Sequence, residues 1–336
     1  MIRVARLRER FPLGPAWSEP AVVVDVVHAA GVTLHRVALS ATSTSGREVT
    51  GAGAALQRPP LRRAYFELLE RASTLDALVA GGSFRLYARD GRRAGRCRAK
   101  TVFLGSADPS GWRYSLSNGI AIHRTARAAR ERALWELVER DRFLRSWYGL
   151  STPAPFEATG LLPPGVGYDW RACLLPAALG RRWEQGIHAA VVLGFPRSRA
   201  MPLVRGFAAR PTRRGAVAAA ARECLQGLAF LWGEEIPRRQ PRPTPTPGYH
   251  LERFLLPRNH QLLRDWLAGA HARYRERASA YRDTSSRVRF ADLTPPALRR
   301  RAHVAKALCD DALPLVFGAD PLATHLPARL RAHPIA

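Results

Sequence analysis

The chain has 336 residues, 46% of them hydrophobic, with 53 Lys and Arg against 27 Asp and Glu and a formal net charge of +26. This length supports a sizeable buried core in one large domain or two closely joined ones, and the composition excludes a wholly disordered chain. No apolar run approaches the ~20 residues that span a bilayer, and the N-terminus lacks the apolar stretch and cleavage site of a secretory signal, so no membrane partner and a cytoplasmic location are expected.

In chain order, Ala21 to Val27 and Val32 to Leu39 predict strands, and Ser43 to Gly53 a polar, Gly-rich stretch that leads toward a helix. That helix starts near the Pro59-Pro60 pair, where proline suits a first turn, and runs to about Leu78. Short β-like runs follow at Phe84 to Tyr87 and Thr101 to Leu104, then a long helix from Thr125 to Tyr148. Past a Pro/Gly-rich connection at Ser151 to Gly167, Ala189 to Leu193 and Leu203 to Phe207 read as strands, and the alanine-rich Ala216 to Leu231 as a helix. Pro237 to Gly248 predicts an extended, exposed loop, because its prolines fix φ and remove donors. A helical stretch, Leu251 to Tyr281, and a final strand, His303 to Leu308, precede a proline-bearing tail. Without strict βαβ alternation, the pattern predicts an α+β fold of mixed, largely antiparallel sheets with packed helices.

Cys97, Cys173, Cys224 and Cys309 are far apart and form no CxxC, which supports neither a zinc cage nor a disulfide framework. Lys100 and Lys306 are the only lysines among the 53 cations; the arginines are spread through every region and no nucleic-acid-binding signature accompanies them. The excess reads as arginine-biased coding, with no specific nucleic acid as partner, though it favours anionic ligands such as nucleotides or an acidic peptide.

Two stretches carry the same pattern: Glu67-Leu-Leu-Glu70-Arg71 and Glu136-Leu-Val-Glu139-Arg140. At i and i+3 on a helix the carboxylates share one face, Cβ atoms ~5–6 Å apart. In a half-buried site of effective dielectric ~20 each pair repels by about 3 kcal/mol, which needs a compensating cation. Arg71 and Arg140 supply part of it as ordinary surface pairs; alternatively, two such helices hold Mg²⁺, a hard cation that takes a few carboxylates and completes its shell with phosphate oxygens. A third helix carries Glu223-Cys-Leu-Gln226 at the same spacing, and its glutamine suits a phosphate or a base. There is no GxGxxG and no Walker P-loop, so a nucleotide site is built another way.

The wider context is specific. Ser117 to Leu144, "SNGIAIHRTARAARERALWELVERDRFL", resembles the signature of the YcaO family, and Gly51, Gly53, Ala64, Glu67, Glu70, Arg71 and Ser73 fit that family's earlier G-x-G and A-x-x-E-x-x-E-R-x-S motif. Gly206 to Gly227 and Pro314 to Gly318 resemble its third motif and its late P-L-x-F-G segment. The resemblance implies a single YcaO-like domain over residues 1–336 that binds ATP and Mg²⁺ without a P-loop. It implies metal ligation by Glu67, Glu70, Glu136 and Glu139, nucleotide contacts from Arg71, Arg140, Gln226, Ser117 and Glu223, and no identified catalytic residue. It also implies ATP-driven activation of a peptide amide, as in azoline-forming cyclodehydratases; relatives make thioamides or macrolactamidines.

Four positions depart from the pattern: Ala128 replaces a motif glutamate, His123 a glycine, Leu228 an arginine, and the tail is reduced to His333-Pro334-Ile335-Ala336. Ala128 stands ~16 Å along the helix from Glu139, so the second pair survives its loss, and Glu131 one turn on is a candidate substitute. His123 is read as a loop histidine without a chemical role. Two functions are compatible with this pattern: a cyclodehydratase subunit acting on a precursor peptide, or a degenerate paralogue that scaffolds a modification complex. No added winged-helix module is evident, so a separate leader-peptide-binding partner is expected; the Pro237 to Gly248 loop reads first as a simple surface insertion and otherwise as one docking surface, and a homodimer is left open.

Overall fold

A computed structural model describes residues 2–104, 111–163, 167–178, 181–277, 287–318 and 320–336. In chain order the elements are α1 (Ile2–Arg10), β1 (Ala21–Ala29), β2 (Val32–Thr42), β3 (Glu48–Ala55), α2 (Leu61–Ala80), β4 (Ser83–Tyr87), β5 (Arg93–Arg98), α3 (Ala99–Val102), β6 (Trp112–Tyr114), β7 (Ile120–His123) and α4 (Ala126–Trp147). Next come β8 (Ala154–Pro155), β9 (Tyr168–Leu175), β10 (His188–Pro196), β11 (Val204–Arg210), α5 (Arg213–Leu231), α6 (Pro247–Leu255), α7 (His260–Leu267), β12 (Arg289–Asp292), β13 (His303–Leu308) and β14 (Val316–Gly318). The strand pairs described are antiparallel, as an α+β fold requires. None of the described helices is long and apolar enough to cross a membrane.

The chain divides into two compact units, each assembled from three segments: Met1–Phe103, Leu116–Leu137 and Arg287–Cys309, and Leu104–Ser115, Val138–Ser286 and Asp310–Ala336. The first unit holds a three-stranded sheet, β1-β2-β3, and a five-stranded sheet, β5-β4-β12-β13-β7. The β1–β2 hairpin closes through Ala30-Gly31, with φ of 47° and 77°, the two left-handed residues of a turn that matches strand twist. Its core gathers Val37, Leu39, Tyr65, Leu68, Leu69, Ile120, Ile122 and Val304.

The second unit holds the sheet β11-β10-β9-β8 and the pair β14-β6. Its core is aromatic: Phe143 packs edge-on against Phe207 and Trp266, and Trp147 against Phe254. Beneath it, Asp141 accepts hydrogen bonds from Arg145, from Arg181 at 2.6 Å and from the Leu313 N–H at 2.8 Å.

Several elements differ from expectation. The Gly-rich stretch Ser43 to Gly53 contains β3, whose glycines are poor strand formers but are required by the close approach of α2. Thr101 to Leu104 begins in the single helical turn α3, too short to register as a period. Leu251 to Tyr281 is not one helix: Pro257 and Gly269, at φ 81°, break it, and Tyr281 lies outside the described residues. The Pro237 to Gly248 loop is irregular as far as Thr246, whose hydroxyl caps α6 by accepting the Tyr249 N–H.

Two glycines set the distance between strand and helix. A Cβ on Gly51 of β3 would overlap the Ala64 carbonyl and come 2.6 Å from the Leu68 nitrogen of α2; one on Gly206 of β11 would overlap the Ala220 carbonyl and come 2.6 Å from the Cys224 nitrogen of α5. Backbone cannot rotate aside as a side chain does. Gly51→Ala and Gly206→Ala are each expected to cost about 3 kcal/mol or more of unfolding free energy, at the top of the overpacking range, in urea denaturation. Gly53→Ala, whose Cβ meets the Pro60 ring at 3.0 Å, is expected to cost less.

Candidate functional site

Glu67, Glu70 and Arg71 stand on α2, where Ala64, Leu68 and Leu69 form the buried stripe and turn the acidic face toward the ends of β3 and β7. Glu67 is engaged at both oxygens: Oε2 accepts the Ala52 N–H at 3.1 Å and Oε1 pairs with Arg71 at 2.6 Å. Arg71 also donates to the Thr50 carbonyl and hydroxyl, at 3.0 and 2.8 Å. Glu70 is half-buried and accepts the Ile122 N–H at 3.0 Å. Its carboxyl is pushed well above the usual carboxylate range, first by burial and then by the charges of Glu136 and Glu67, against the pull of that N–H and of Arg71. The first unit thus brings together Glu67, Glu70 and Glu136 from two separate motifs.

Glu136 sits on α4 beside a group that sequence reasoning passed over. Lys306 of β13 is only 5% exposed, and its ammonium donates to the Leu116 and Asn118 carbonyls at 2.8 and 2.7 Å, bracketing the exposed Ser117. Burial lowers its pKa to about 8, and the Glu136 charge opposes the drop. The signal was legible, since this is the one buried lysine in a chain whose other cations are almost all arginine. Asn118 keeps a buried side-chain oxygen without a hydrogen-bond partner.

One turn beyond Glu136, Glu139 is buried, with Arg140 3.4 Å away. The aspartate that closes the E-R-D motif, Asp141, is the structural clamp beneath the aromatic core. In the second unit Glu223 accepts the Phe207 N–H at 3.1 Å, and Gln226 holds a buried Oε1 that no protein group meets. The shortened tail is buried: His333 and Ile335 are 0% and 2% exposed. His250 accepts the Gly318 N–H at Nε2 and therefore donates from Nδ1 to the His333 carbonyl, while His333 donates from Nε2 to the Val316 carbonyl. Both rings are neutral; burial lowers His250 to about 4, and burial, His250 and Arg140 together lower His333.

The departures have local explanations. Thr125 is the N-cap of α4, accepting the Ala128 N–H at 3.3 Å, so Ala128 occupies the capping-box position. Glu131, the candidate substitute, pairs with Arg127 at 3.0 Å on an exposed face. His123 ends strand β7 opposite His303 rather than lying in a loop, and its Nδ1 accepts the Thr125 N–H. Leu228 is fully buried in the α5 core.

Among the described residues no three carboxylate, imidazole or thiol groups close round an ion as the side chains stand. The donor chemistry nonetheless fits Mg²⁺. Glu70 and Glu136 are hard oxygen donors set in mutual repulsion, which a divalent cation bound there would offset, favouring the charged form of Glu70.

Buried neutral imidazoles carry a pH signature. The unfolded chain protonates a histidine near 6.5, whereas folded His250 stays neutral to about 4, so between those values the unfolded state binds the extra proton and the fold loses stability as pH falls. The buried Asp320, raised to about 7, works in the opposite sense. The difference between wild type and His250→Gln isolates the imidazole: on going from pH 7 to pH 5 the wild type is expected to lose about 2 kcal/mol relative to the variant, read from urea midpoints at each pH.

The sequence matches, over residues 99–311, the family model described as YcaO cyclodehydratase, ATP- and Mg²⁺-binding. No curated protein sequence matches. Among solved structures the fold is similar to that of YcaO from Methanopyrus kandleri bound with AMPPCP and Mg²⁺, at 19% identity and a TM-score of 0.62 over 93% of this chain and 90% of that one. It is similar to a chain of the E. coli microcin synthetase McbBCD complex, at 10% identity and 0.54 over 87% and 88%. A heterocyclase in complex with substrate and cofactor is matched at 15% identity and 0.53 over 93% of this chain, which spans about half of it, 52%. With more than half of its length matched by that model, and with Glu67, Glu70 and Glu136 of two of its motifs brought together, the chain belongs to the YcaO family, described as binding ATP and Mg²⁺.

Proposed function

We propose that this protein is an ATP- and Mg²⁺-dependent enzyme that activates peptide backbone amides, cyclodehydrating Cys, Ser or Thr of a ribosomally made precursor peptide to thiazoline or oxazoline. The observation that carries it is the Glu70 carboxyl, partly desolvated and set against the charges of Glu136 and Glu67 at a cost that a structural role alone does not repay. When bound, ATP supplies the phosphoryl group that makes the amide oxygen a leaving group, and Mg²⁺ neutralises the charge of that transfer. Glu70 and Glu136 hold the cation. Glu67, tied to Ala52 and Arg71, keeps Glu70 in register. Lys306 fixes the Leu116–Asn118 segment beside Glu136.

A protein partner that delivers the peptide is supported by β1, an edge strand with Val23, Val24 and Val26 61%, 51% and 49% exposed, the kind of edge to which another chain adds. A scaffold without turnover is the second reading; Ala128, standing where the motif has a glutamate, favours it.

The two readings part on Mg²⁺-dependent ATP hydrolysis by the purified protein, assayed with and without the peptide and partner encoded beside it. Turnover that falls at least a hundredfold in Glu70→Gln and in Glu136→Gln, with a mass loss of 18 Da per ring in the peptide, is the expected result. No turnover and no Mg-ATP binding with the partners present would leave the scaffold.

A further inference from the structure

Strand β5 ends the sheet order β5-β4-β12-β13-β7, and among the described residues no strand pairs with its outer side. Five of its six residues are exposed, and Cys97 is half-buried. The hairpin that carries it, Ser83 to Lys100, holds seven Arg and Lys against one carboxylate, Asp90, which pairs with Arg92 at 2.7 Å. A few charges on an edge suffice to keep copies of a chain apart. Here the cations are more than that, and they are aligned.

The alternation of the strand decides which groups the open edge offers. The Ala99 N–H bonds back to the Gly82 carbonyl at 2.9 Å, so in this antiparallel pair the main-chain groups of Cys97 also face β4, and those of Arg96 and Arg98 face outward. The Arg96 and Arg98 side chains share one face of the sheet, where Arg85 of β4 stands directly opposite Arg96 and Ser83 opposite Arg98. Like charges so placed destabilise a strand pair. Arg96 is nonetheless fixed there: its Nε and Nη2 donate to the Ser83 hydroxyl at 3.0 and 2.8 Å, and Nη2 to the Ser83 carbonyl at 3.0 Å. On the other face Cys97 lies opposite Phe84, and both pack against the core. Toward the turn the register shifts and Gly95 takes φ 100°, which leaves Arg96 to Arg98 as the regular edge.

We propose that β5 is the docking edge for an acidic, extended segment of polypeptide, which adds as a further strand with carboxylates at alternate positions against Arg96 and Arg98 and an apolar residue between them beside Cys97. The two arginines offer the ladder their N–H and C=O groups, and Arg85 behind them adds to the field. The period of a strand, in which every second side chain shares a face, matches the carboxylates to the guanidinium side. A single-stranded nucleic acid is also anionic, but it has no amide ladder to pair, and it holds such surfaces by stacking bases on aromatic rings; Phe84 of this hairpin is turned inward, edge-on to Phe103. The inference does not require the ATP-dependent function proposed above, since a scaffold would use the same edge.

The test is binding of short fluorescent peptides by the full chain, followed by anisotropy. One peptide alternates aspartate with valine, a second has the same composition with its aspartates in one block, and a third alternates lysine with valine. The alternating acidic peptide is expected to bind about tenfold tighter than the block peptide. Arg96→Glu/Arg98→Glu, a change of two exposed side chains, is expected to lose it and to gain the lysine peptide at an unchanged melting temperature. Arg98→Glu alone, which leaves the bonds between Arg96 and Ser83 in place, is expected to lose most of the binding. Equal affinity for the alternating and block peptides overturns strand addition and leaves a diffuse anionic attraction. Binding that survives both variants places the peptide elsewhere and overturns the proposal too. An oligothymidine that binds tighter than the alternating peptide and is lost in the variants assigns the edge to nucleic acid instead. A wild-type chain that binds neither acidic peptide also sinks the inference, while Mg-dependent ATP hydrolysis, assayed separately, decides the function proposed above.

Discussion

Both units depend on one contact: a glutamate on a helix accepts the outward N–H of an edge strand, Glu67 from Ala52 and Glu223 from Phe207. An edge strand exposes donors that another chain would otherwise take, and a helix can cover them only if it comes close. Gly51 and Gly206 make that approach possible, because each stands where any side chain would strike helix backbone. The carboxylate, the missing Cβ and the helix stripe therefore form a single device. It delivers the residue three positions further along the helix to a fixed place: Glu70 in one unit, Gln226 in the other.

That delivery explains why Glu70 tolerates its environment. A carboxyl placed in the interior beside two others of like charge is pushed toward its neutral form, and the Ile122 N–H and Arg71 recover only part of the loss. Catalytic groups and ion sites are where such perturbation is retained, because a bound cation makes use of it. Asp141 shows the contrast. Fully buried, it is met by Arg145, Arg181 and the Leu313 N–H, and its role is to close the second unit on itself.

The helices that carry the motifs were legible in the sequence because long amphipathic stripes and paired prolines register strongly: α2, α4 and α5 stand where periodicity placed them, and β13 matches His303 to Leu308. The short strands β6, β7, β12 and β14 were not legible, having three or four residues each, and β3 was hidden by the glycines that let it pack. In the candidate site, spacing found the carboxylates, but it could not tell that Glu67 is occupied at both oxygens while Glu70 faces the charge of Glu136. Nor could it find His250 or His333, since their importance lies in defined tautomers and a tail that folds inward. Such properties arise from contacts between residues far apart in the chain.

Lys306 shows how composition and geometry meet. Coding that favours arginine has left the chain two lysines, and the exposed Lys100 carries no visible constraint. At 306 the cation is buried and must satisfy two carbonyls, of Leu116 and Asn118, while remaining near Glu136. An ammonium does this with three donors on one atom. A guanidinium is planar, larger and forked, and its five N–H groups would require more acceptors than the site offers. The residue type is therefore set by the volume and the acceptor count between strand β13 and the loop before β7, which a bias in coding cannot override. The same reasoning runs the other way at Arg205, where a strand position in the second unit carries the larger cation and keeps one of its donors free of any protein acceptor.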